Sequence, residues 1–341
     1  MSASGHTVVM ATPASRIFGL AALAILIALV AGPWWLGRAD MRLMVELFTY
    51  LALAQMWNLL AGYAGLVSVG QQAFLGLGGY VMFATAAFAG VHPMLAVLVS
   101  GVVTAIAAVP TAAIVFRLKG AYFAIGTWVV AEVYMLSFAQ VSALGGGSGM
   151  SLPAKILREL GGRSERESII YWTALGLAVL AIAMVYLLLR SKHGLALTAI
   201  RDSEPAAESL GVNNDRTKYL VYIAAAAVTG LVGALIFMSK LRISPEAAFN
   251  VVDWTAYVIF IVVIGGVGRI EGPIVGTIVF FALRSFLADL GSIYLIILGA
   301  LAIVVMLRAP GGLWGLIADR FGLELFPVRR RLVLKDAGDR S

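Results

Sequence analysis

The chain contains no cysteine and very few charged residues. Without cysteine it can form no disulfide, no thiolate nucleophile and no cysteine-based metal site. Aspartate, glutamate, lysine and arginine make up only 13% of the 341 residues, whereas 61% are hydrophobic and the mean hydropathy is +0.95. Soluble globular domains carry about twice that share of charge. The composition therefore predicts an integral membrane protein.

Histidine and the common catalytic motifs are scarce as well. The three histidines, His6, His92 and His193, lie far apart in the sequence, so we predict no metal cluster and no Ser-His-Asp arrangement. The sequence has no Gly-x-x-x-x-Gly-Lys phosphate loop and no His-Glu-x-x-His motif. We therefore expect a protein that is not an enzyme, with no catalytic residue, no metal and no cofactor bound by this chain.

Several apolar segments reach the roughly 20 residues that a helix needs to cross a bilayer. A membrane barrel would instead show alternating segments of about ten residues. We therefore predict an all-α polytopic helical membrane protein with about ten spans, some of them interrupted. The predicted spans cover residues 16–35, 41–61, 71–90, 93–116, 120–141, 168–190, 216–239, 253–266, 272–288 and 291–308. The first could also be a signal peptide, but no A-x-A cleavage site follows it, which favours a span.

Basic residues indicate which side of the membrane each loop faces, because cytoplasmic loops are rich in lysine and arginine. The loop at 190–218, the turn with Arg117 and Lys119, and the C-terminal tail are basic, and ten spans place all three on one side. The long loop at 142–167 has nearly balanced charges and falls outside. We therefore expect both termini in the cytoplasm. The expected organisation is a polar extension at 1–15, a transmembrane domain at 16–308 and a basic tail at 309–341 that lies beside anionic lipid rather than nucleic acid.

Two regions interrupt the apolar spans with glycine. Residues 58–80 read NLLAGYAGLVSVGQQAFLGLGGY, and residues 264–276 read IGGVGRIEGPIVG. Glycine at this depth either lets helices pack closely or breaks a helix so that its backbone lines a cavity, and broken helices mark many transport sites. The two regions fall in opposite halves of the chain, which indicates an internal repeat. The candidate gating or helix-breaking glycines are Gly62, Gly65, Gly70, Gly265, Gly266 and Gly268.

Polar residues at the same depth are candidates for a translocation path. They are Asn58, Ser68, Gln71, Gln72 and Glu132. Glu132 lies in an apolar run, where an unpaired carboxylate is costly. Two roles fit its position equally well: a contact with the ammonium group of a solute, and a structural hydrogen bond inside the bundle.

The other charges near the membrane have simpler interpretations. Glu46 is expected at the membrane interface, and Arg284 and Asp289 are expected to extend towards lipid headgroups. Arg269 and Glu271 lie in the second glycine-rich region. We expect them to form a solvated turn rather than a gate.

One polar segment separates two long apolar spans. Residues 197–213 read LTAIRDSEPAAESLGVN, with small residues beside carboxylates and a glycine near the end. This pattern predicts a short exposed helix that closes at Gly211. A membrane protein needs such a helix where a partner docks. The candidate docking residues are Arg201, Asp202, Glu204, Ala206, Ala207, Glu208 and Gly211.

These segments together carry a family resemblance. Residues 197–213 resemble the EAA loop of ABC importer permeases, the coupling helix that sits in a groove of the cytoplasmic ATPase, although here a proline follows Glu204. Four further segments are similar to LivM-type permeases for branched-chain amino acids, and all five follow the order of that family. They are 58–80, RLKGAYFAIGTWVVAE at 117–132, LGGGSGM at 144–150 and VVIGGVGRIEGPIVGT at 262–277. Gln71 stands where the family often has histidine.

The resemblance implies a permease subunit of an ABC importer in the bacterial cytoplasmic (inner) membrane, coupled through 197–213 to separate ATPases. The implied partners are a LivH-type second permease that forms a heterodimer, two ABC ATPase subunits and a periplasmic or extracellular solute-binding protein. ATP would be used by the ATPase subunits alone. The implied solute is a branched-chain amino acid or a similar small polar molecule, with urea, short amides and small aromatic acids left open.

A second class of function also remains open. An ion-coupled secondary transporter with its own binding site would suit Glu132 and the broken helices. Such a transporter needs no ATPase dock, so the polar segment at 197–213 favours the ABC permease. A membrane-embedded enzyme has the least support, because the sequence shows no catalytic constellation.

Overall fold

The computed structural model describes residues 6–9, 13–159, 161–287, 293–321, 325–326 and 331–334. Most of these residues are helical. The helices are α1 (Pro13–Val30), α2 (Gly32–Trp35), α3 (Arg38–Asn58), α4 (Gln71–Ala89), α5 (Pro93–Val115), α6 (Ala121–Gln140), α7 (Ala154–Glu159), α8 (Arg163–Arg190), α9 (Lys192–Asp202), α10 (Glu204–Ser209), α11 (Asn214–Lys240), α12 (Pro245–Ala248), α13 (Tyr257–Gly265), α14 (Glu271–Leu287), α15 (Ile293–Arg308) and α16 (Gly312–Phe321).

Short elements connect these helices. Two π-helical turns, Leu59–Tyr63 and Val252–Ala256, extend α3 and lead into α13. Two 3₁₀ turns, Ser142–Leu144 and Gly146–Ser148, follow α6. The strands form two antiparallel pairs: β1 (His6–Val9) with β4 (Arg331–Leu334), and β2 (Met150–Ser151) with β3 (Arg242–Ile243).

The helices confirm an all-α polytopic membrane protein. A described helix lies at each of the ten predicted spans. In the described part of the chain, eight helices are long and apolar enough to cross a membrane. The other two predicted spans match α1, whose described apolar part is Phe18–Val30, and α14, which has 17 residues. Helix α8 begins before its predicted span, because the Glu165 carboxylate accepts a hydrogen bond from the Gly162 N–H at 2.8 Å and caps the first turn.

Helices α3, α4 and α11 form the centre of the bundle, and glycine lets α4 and α11 touch. A Cβ added at Gly78 would lie 2.1 Å from the carbonyl oxygen of Gly230, and one added at Gly233 would lie 2.0 Å from that of Leu75. Close backbone contact of this kind is common between membrane helices. The most apolar windows of α3 and α11 are 72% buried, whereas that of α6 is 17% buried. Helix α6 is therefore peripheral in the single chain.

The connections between helices gather at two ends of the bundle. At one end, which we call the coupling end, lie the turns at 61–70, 116–120 and 266–270 together with α9, α10 and α16. At the other, the opposite end, β2 pairs with β3, and Arg38 lies 3.7 Å from the Glu167 carboxylate. The basic turn with Lys119 and the basic loop at 190–218 share the coupling end, as expected for segments on one side of a membrane.

The two terminal segments also lie together. In the pair of strands β1 and β4, His6 is opposite Leu334 and Val9 is opposite Arg331. The ring of Phe18 in α1 packs edge-to-face against Phe326, with the ring centroids 5.4 Å apart. Asp289 and most of the tail beyond Phe321, including Arg329, Arg330 and Lys335, lie outside the described residues.

Candidate functional site

The predicted docking segment is two helices rather than one. Helix α9 ends at Asp202, and α10 begins at Glu204, with Ser203 between them. The Ser203 hydroxyl accepts a hydrogen bond from the Ala206 N–H at 3.4 Å, and Pro205 occupies the first turn, where its missing N–H costs nothing. Gly211 closes the segment with φ +81°, and its N–H donates to the Glu208 carbonyl at 2.9 Å. This left-handed closure confirms the predicted helix end.

Side chains of α10 face two ways. Ala207, one of the predicted docking residues, is 1% exposed and packs inward, so its side chain is not on the surface as expected; the other predicted docking residues, Arg201, Asp202, Glu204, Ala206, Glu208 and Gly211, are exposed. Leu210, which we did not single out from the sequence, is 81% exposed. Its signal in the sequence was an apolar residue directly before Gly211 in an otherwise polar stretch. The coupling end therefore presents a small surface of alanine, leucine and carboxylates.

Helix α10 is fastened to the central helix α11. The Glu204 carboxylate forms an ion pair with the Lys218 ammonium, and the Glu204 carbonyl accepts a hydrogen bond from the Asn214 amide at 2.9 Å. The Asn213 side chain caps α11 by accepting from the Arg216 N–H at 2.9 Å. These contacts join α10 to the beginning of α11.

Helix α9 contacts the two glycine-rich regions. The Arg201 guanidinium donates to the Gly62 carbonyl at 3.3 Å and also binds the Asp202 carboxylate at 3.0 Å. A Cβ added at Gly268 would lie 3.5 Å from the same guanidinium. Arg201 thus lies where the end of α9 meets both interruptions.

The two interruptions contact each other, although they lie in opposite halves of the sequence. The Asn58 amide donates to the Arg269 carbonyl at 2.9 Å and accepts from the Gly268 N–H at 2.8 Å. The Gln55 amide donates to the Ile270 carbonyl at 2.8 Å. A Cβ at Gly62 would lie 2.5 Å from the Gly268 nitrogen, so only glycine fits there. We call these contacts the amide clamp.

The other candidate glycines serve the same two turns. An added Cβ at Gly70 would collide with the Thr127 carbonyl, and one at Gly265 would collide with the Gly272 carbonyl. The remaining two, Gly65 and Gly266, have positive φ. The structure therefore explains all six glycines by close backbone approach or by turn geometry, whereas a gating role stays a prediction.

The predicted path residues occupy separate places. Ser68 and Gln71 line a cavity of about 10 Å³, which is the size of one water molecule. The Gln71 amide donates to the Leu53 carbonyl at 3.0 Å, and its Oε1 has no hydrogen-bond partner among the described residues. Gln72 is fully buried and accepts a hydrogen bond from the Thr255 hydroxyl. Asn58 belongs to the amide clamp, so these four residues are buried at separate points of the bundle interior rather than lining one open path.

Glu132 lies apart from that interior, on the outer face of α6. Its carboxylate accepts a hydrogen bond from the Trp128 indole N–H at 3.1 Å, one helical turn away. The neighbouring side chains Val129, Val133 and Leu136 are all more than half exposed in the single chain. In the described conformation Glu132 therefore shares no lining with the other four, and its role stays a prediction.

A larger cavity opens at the coupling end. It measures about 1130 Å³, which exceeds the roughly 300–1,000 Å³ typical of small-molecule pockets. Its walls come from 65–67, from the end of α5 to the start of α6, and from α10 to the first turn of α11. Lys119, Glu208 and Asp215 contribute charge to it. Sequence reasoning missed this cavity, because it depends on three segments that are distant in the chain.

Comparison with known proteins identifies the family. Residues 41–307 match the family described as branched-chain amino acid transport system, permease component. The chain belongs to this family. The matched range contains both glycine-rich regions, Glu132 and the docking segment. This branched-chain amino acid permease is therefore a multi-pass membrane protein of the LivM type and one component of a multi-subunit transport system.

Individual relatives agree with this assignment. The high-affinity branched-chain amino acid transport system permease proteins LivM of Salmonella typhimurium and Escherichia coli are each 28% identical over 314 residues, which cover 85% of this chain and 73% of theirs. A probable branched-chain amino acid transport permease protein LivM of Methanocaldococcus jannaschii is 27% identical over 195 residues, or 57% of this chain and 54% of that protein. No solved structure matches the chain.

Two expectations about charged residues of this permease were wrong. Glu271 does not lie in a solvated turn: it is 8% exposed, and Oε1 accepts hydrogen bonds from the backbone of Leu325 and Phe326. Arg284 does not extend freely to headgroups, because it forms an ion pair with Glu46 across α3 and α14. These contacts join residues far apart in the sequence, which no local pattern predicts.

Proposed function

We propose that this permease is one of two membrane subunits of an ATP-driven importer for branched-chain amino acids in the bacterial cytoplasmic (inner) membrane. In this proposal α9 and α10 dock a separate ABC ATPase subunit, and both termini face the cytoplasm. The observation that carries the proposal is the exposed surface of α10, which is anchored to the core on one side and bears Ala206 and Leu210 on the other. ATP is used by the two ATPase subunits, and this chain binds no cofactor.

The contacts of α9 and α10 explain how a movement of the ATPase would be transmitted to the bundle. Movement of α10 pulls α11 through Glu204 and Lys218. Movement of α9 reaches both glycine-rich turns through Arg201. Because packed helices move as rigid bodies, a small shift at the coupling end changes how helices pack at membrane depth. Alternating access between the two sides of the membrane follows from that change.

The outer face of α6 favours the presence of a second membrane subunit. A carboxylate facing lipid at membrane depth is costly, and Glu132 has only Trp128 as its partner in the described part of this chain. We propose that a LivH-type permease covers this face and that the solute passes between the subunits, beside Glu132 and the interior that holds Asn58, Ser68, Gln71 and Gln72. A solute-binding protein outside the membrane delivers the amino acid to this path.

Glu132 also favours a second candidate, an ion-coupled secondary transporter. An intramembrane carboxylate at a partly open face is a common proton or cation site. The two candidates differ in one requirement, because only the importer needs an ATPase. Uptake by the permease in the absence of ATPase subunits would support the secondary transporter and contradict our proposal.

Ala206→Arg tests the coupling surface. The substitution places a bulky charge on the exposed face of α10 without touching the bundle, so the assembled complex should retain basal ATP hydrolysis but lose solute-stimulated hydrolysis and uptake. Ala247→Arg is the matched control, because Ala247 is also exposed, in the Ser-capped helix α12 at the opposite end. Both activities should be measured in proteoliposomes that contain all subunits. Normal stimulated hydrolysis and uptake in Ala206→Arg would refute docking at α10.

A further inference from the structure

The segment at 325–326 is fastened to the bundle by a buried carboxylate. Glu271 is the first residue of α14, and its Oε1 accepts the backbone N–H of Leu325 at 3.2 Å and that of Phe326 at 3.1 Å. A buried carboxylate with two backbone donors specifies one location for the segment.

The Phe326 side chain adds two aromatic contacts. Its ring packs edge-to-face against Phe18 of α1, with centroids 5.4 Å apart, and against Tyr186 of α8 at 5.8 Å. Edge-to-face pairs at these distances are favourable beyond simple burial. The segment therefore contacts three helices that are far apart in the sequence.

Two of these contacts lie close to α9 and α10, which we call the coupling segment. Tyr186 accepts a hydrogen bond from Arg190 at 2.8 Å, and Arg190 is the last residue of α8, two residues before α9. Glu271 directly follows the glycine-rich turn that Asn58 binds and that the Arg201 guanidinium lies beside. An ion pair of 2.9 Å between Arg269 and Asp319 also joins this turn to α16. The segment thus bridges the start of α9 and the turn that meets its end.

We propose that residues 325–326 form a strap that positions the coupling segment, so that the movement driven by ATP hydrolysis reaches the bundle. The proposal rests on the proposed function, because it assumes that α9 and α10 receive the motion of the ATPase. With the strap in place, α8 and the glycine-rich turn move together. Without it, the coupling segment is joined to the turn only near Arg201, and part of the ATP is hydrolysed without transport.

The first test is Phe326→Ala in the complete transporter, with uptake per ATP hydrolysed as the readout. We expect the ratio to fall roughly fivefold or more, the effect of losing two aromatic contacts on a two-state equilibrium. Phe321→Ala is the matched control, because Phe321 ends α16 and is 67% exposed. Phe326→Tyr keeps the ring and should keep the ratio. Equal ratios in Phe326→Ala and Phe321→Ala would overturn the proposal.

The second test uses the absence of cysteine. Cysteines introduced together at Phe18 and Phe326 should be crosslinked by a short bifunctional thiol reagent in the assembled complex, and the crosslinked transporter should keep its ratio of uptake to hydrolysis. The crosslinking readout does not depend on transport. No crosslinking in a properly assembled complex would refute the strap itself. If the two cysteines are crosslinked but Ala206→Arg keeps normal stimulated hydrolysis and uptake, docking at α10 is refuted and the strap is not. The two tests therefore distinguish failure of the strap from failure of the proposed function.

Discussion

The molecule contains two short helices with nearly the same local sequence. Helix α10 follows Ser203 and reads EPAAES, whereas α12 follows Ser244 and reads PEAA. In both, the serine hydroxyl accepts from an alanine N–H at 3.4 Å, and the second alanine is buried, Ala207 in α10 and Ala248 in α12. Local sequence therefore dictates the helix, the cap and the inward face.

The two helices differ in the apolar residue that comes after the alanines. After α12, Phe249 is 2% exposed and stacks with Tyr80, with the ring centroids 6.1 Å apart. After α10, Leu210 is 81% exposed. The chain itself covers the apolar residue beside α12 but leaves the one beside α10 open. The comparison teaches that the same local motif forms a closed structural corner at one end and leaves an exposed apolar side chain at the other, where we propose that a partner docks.

The largest effect is expected from truncating Phe249, and truncating Leu210 is the contrasting case. Phe249→Ala should destabilise the isolated subunit by about 3–5 kcal/mol, because it leaves a cavity against Gly76 and Tyr80. Leu210→Ala should change the stability of the isolated subunit by less than about 0.5 kcal/mol, since the side chain is exposed. It should instead weaken association with the ATPase subunits.

Thermal unfolding of the detergent-solubilised subunit and pull-down of the ATPase subunits separate these effects. The comparison fails if Leu210→Ala lowers the unfolding temperature as much as Phe249→Ala does, because Leu210 would then be part of the fold. It also fails if ATPase binding is unchanged in Leu210→Ala.

The span positions could be predicted because the length of an apolar run records the thickness of the membrane. The turn at Gly211 could be predicted because only a local pattern is needed to end a helix. The amide clamp could be predicted only in part. The sequence marked Asn58 and the glycines near 268 as unusual, but nothing in it showed that they contact each other. Such contacts depend on how distant helices pack.

Burial of charge was the least predictable feature. Glu271 looked solvated because it stands beside Arg269 in a glycine-rich turn, yet its partners come from Leu325 and Phe326, more than fifty residues later. The ion pair of Glu46 with Arg284 joins α3 to α14 in the same way. A polar residue at membrane depth therefore marks a place of interest, whereas its partner becomes known only from the packing.

Polar groups at membrane depth differ in a similar way, because some find partners on distant helices of the chain and others do not. The amide clamp satisfies Asn58 within the chain, whereas Glu132 on α6 depends on Trp128 of its own helix. We expect Glu132→Gln to reduce uptake by roughly tenfold, because a hydrogen bond to a charged group contributes about 1.5–3 kcal/mol. Assembly with the second permease should survive, since glutamine keeps the shape.

Ser137→Ala is the matched control for Glu132→Gln. Ser137 is exposed on α6, and among the described residues its hydroxyl donates only to the Val133 carbonyl of the same helix, at 2.7 Å. Uptake and co-purification of the second permease should both stay normal in this control. Full uptake by a Glu132→Ala variant at normal expression would exclude Glu132 from the path and from the subunit interface alike.

The smallest effect is expected from the ion pair that fastens α10 to α11. The Glu204 side chain is 51% exposed, and pairs this open to water contribute about 0.2–1 kcal/mol. Glu204→Gln should therefore reduce uptake by no more than about fivefold at low salt. The difference from the unmodified chain should shrink at about 1 M salt, where charges are screened within about 3 Å.

Glu246→Gln in α12 is the control and should have no effect, because Glu246 is exposed and forms no ion pair with any described residue. A loss in Glu204→Gln that persists at high salt would show that the carboxylate acts through direct contact with a partner rather than by fastening α10.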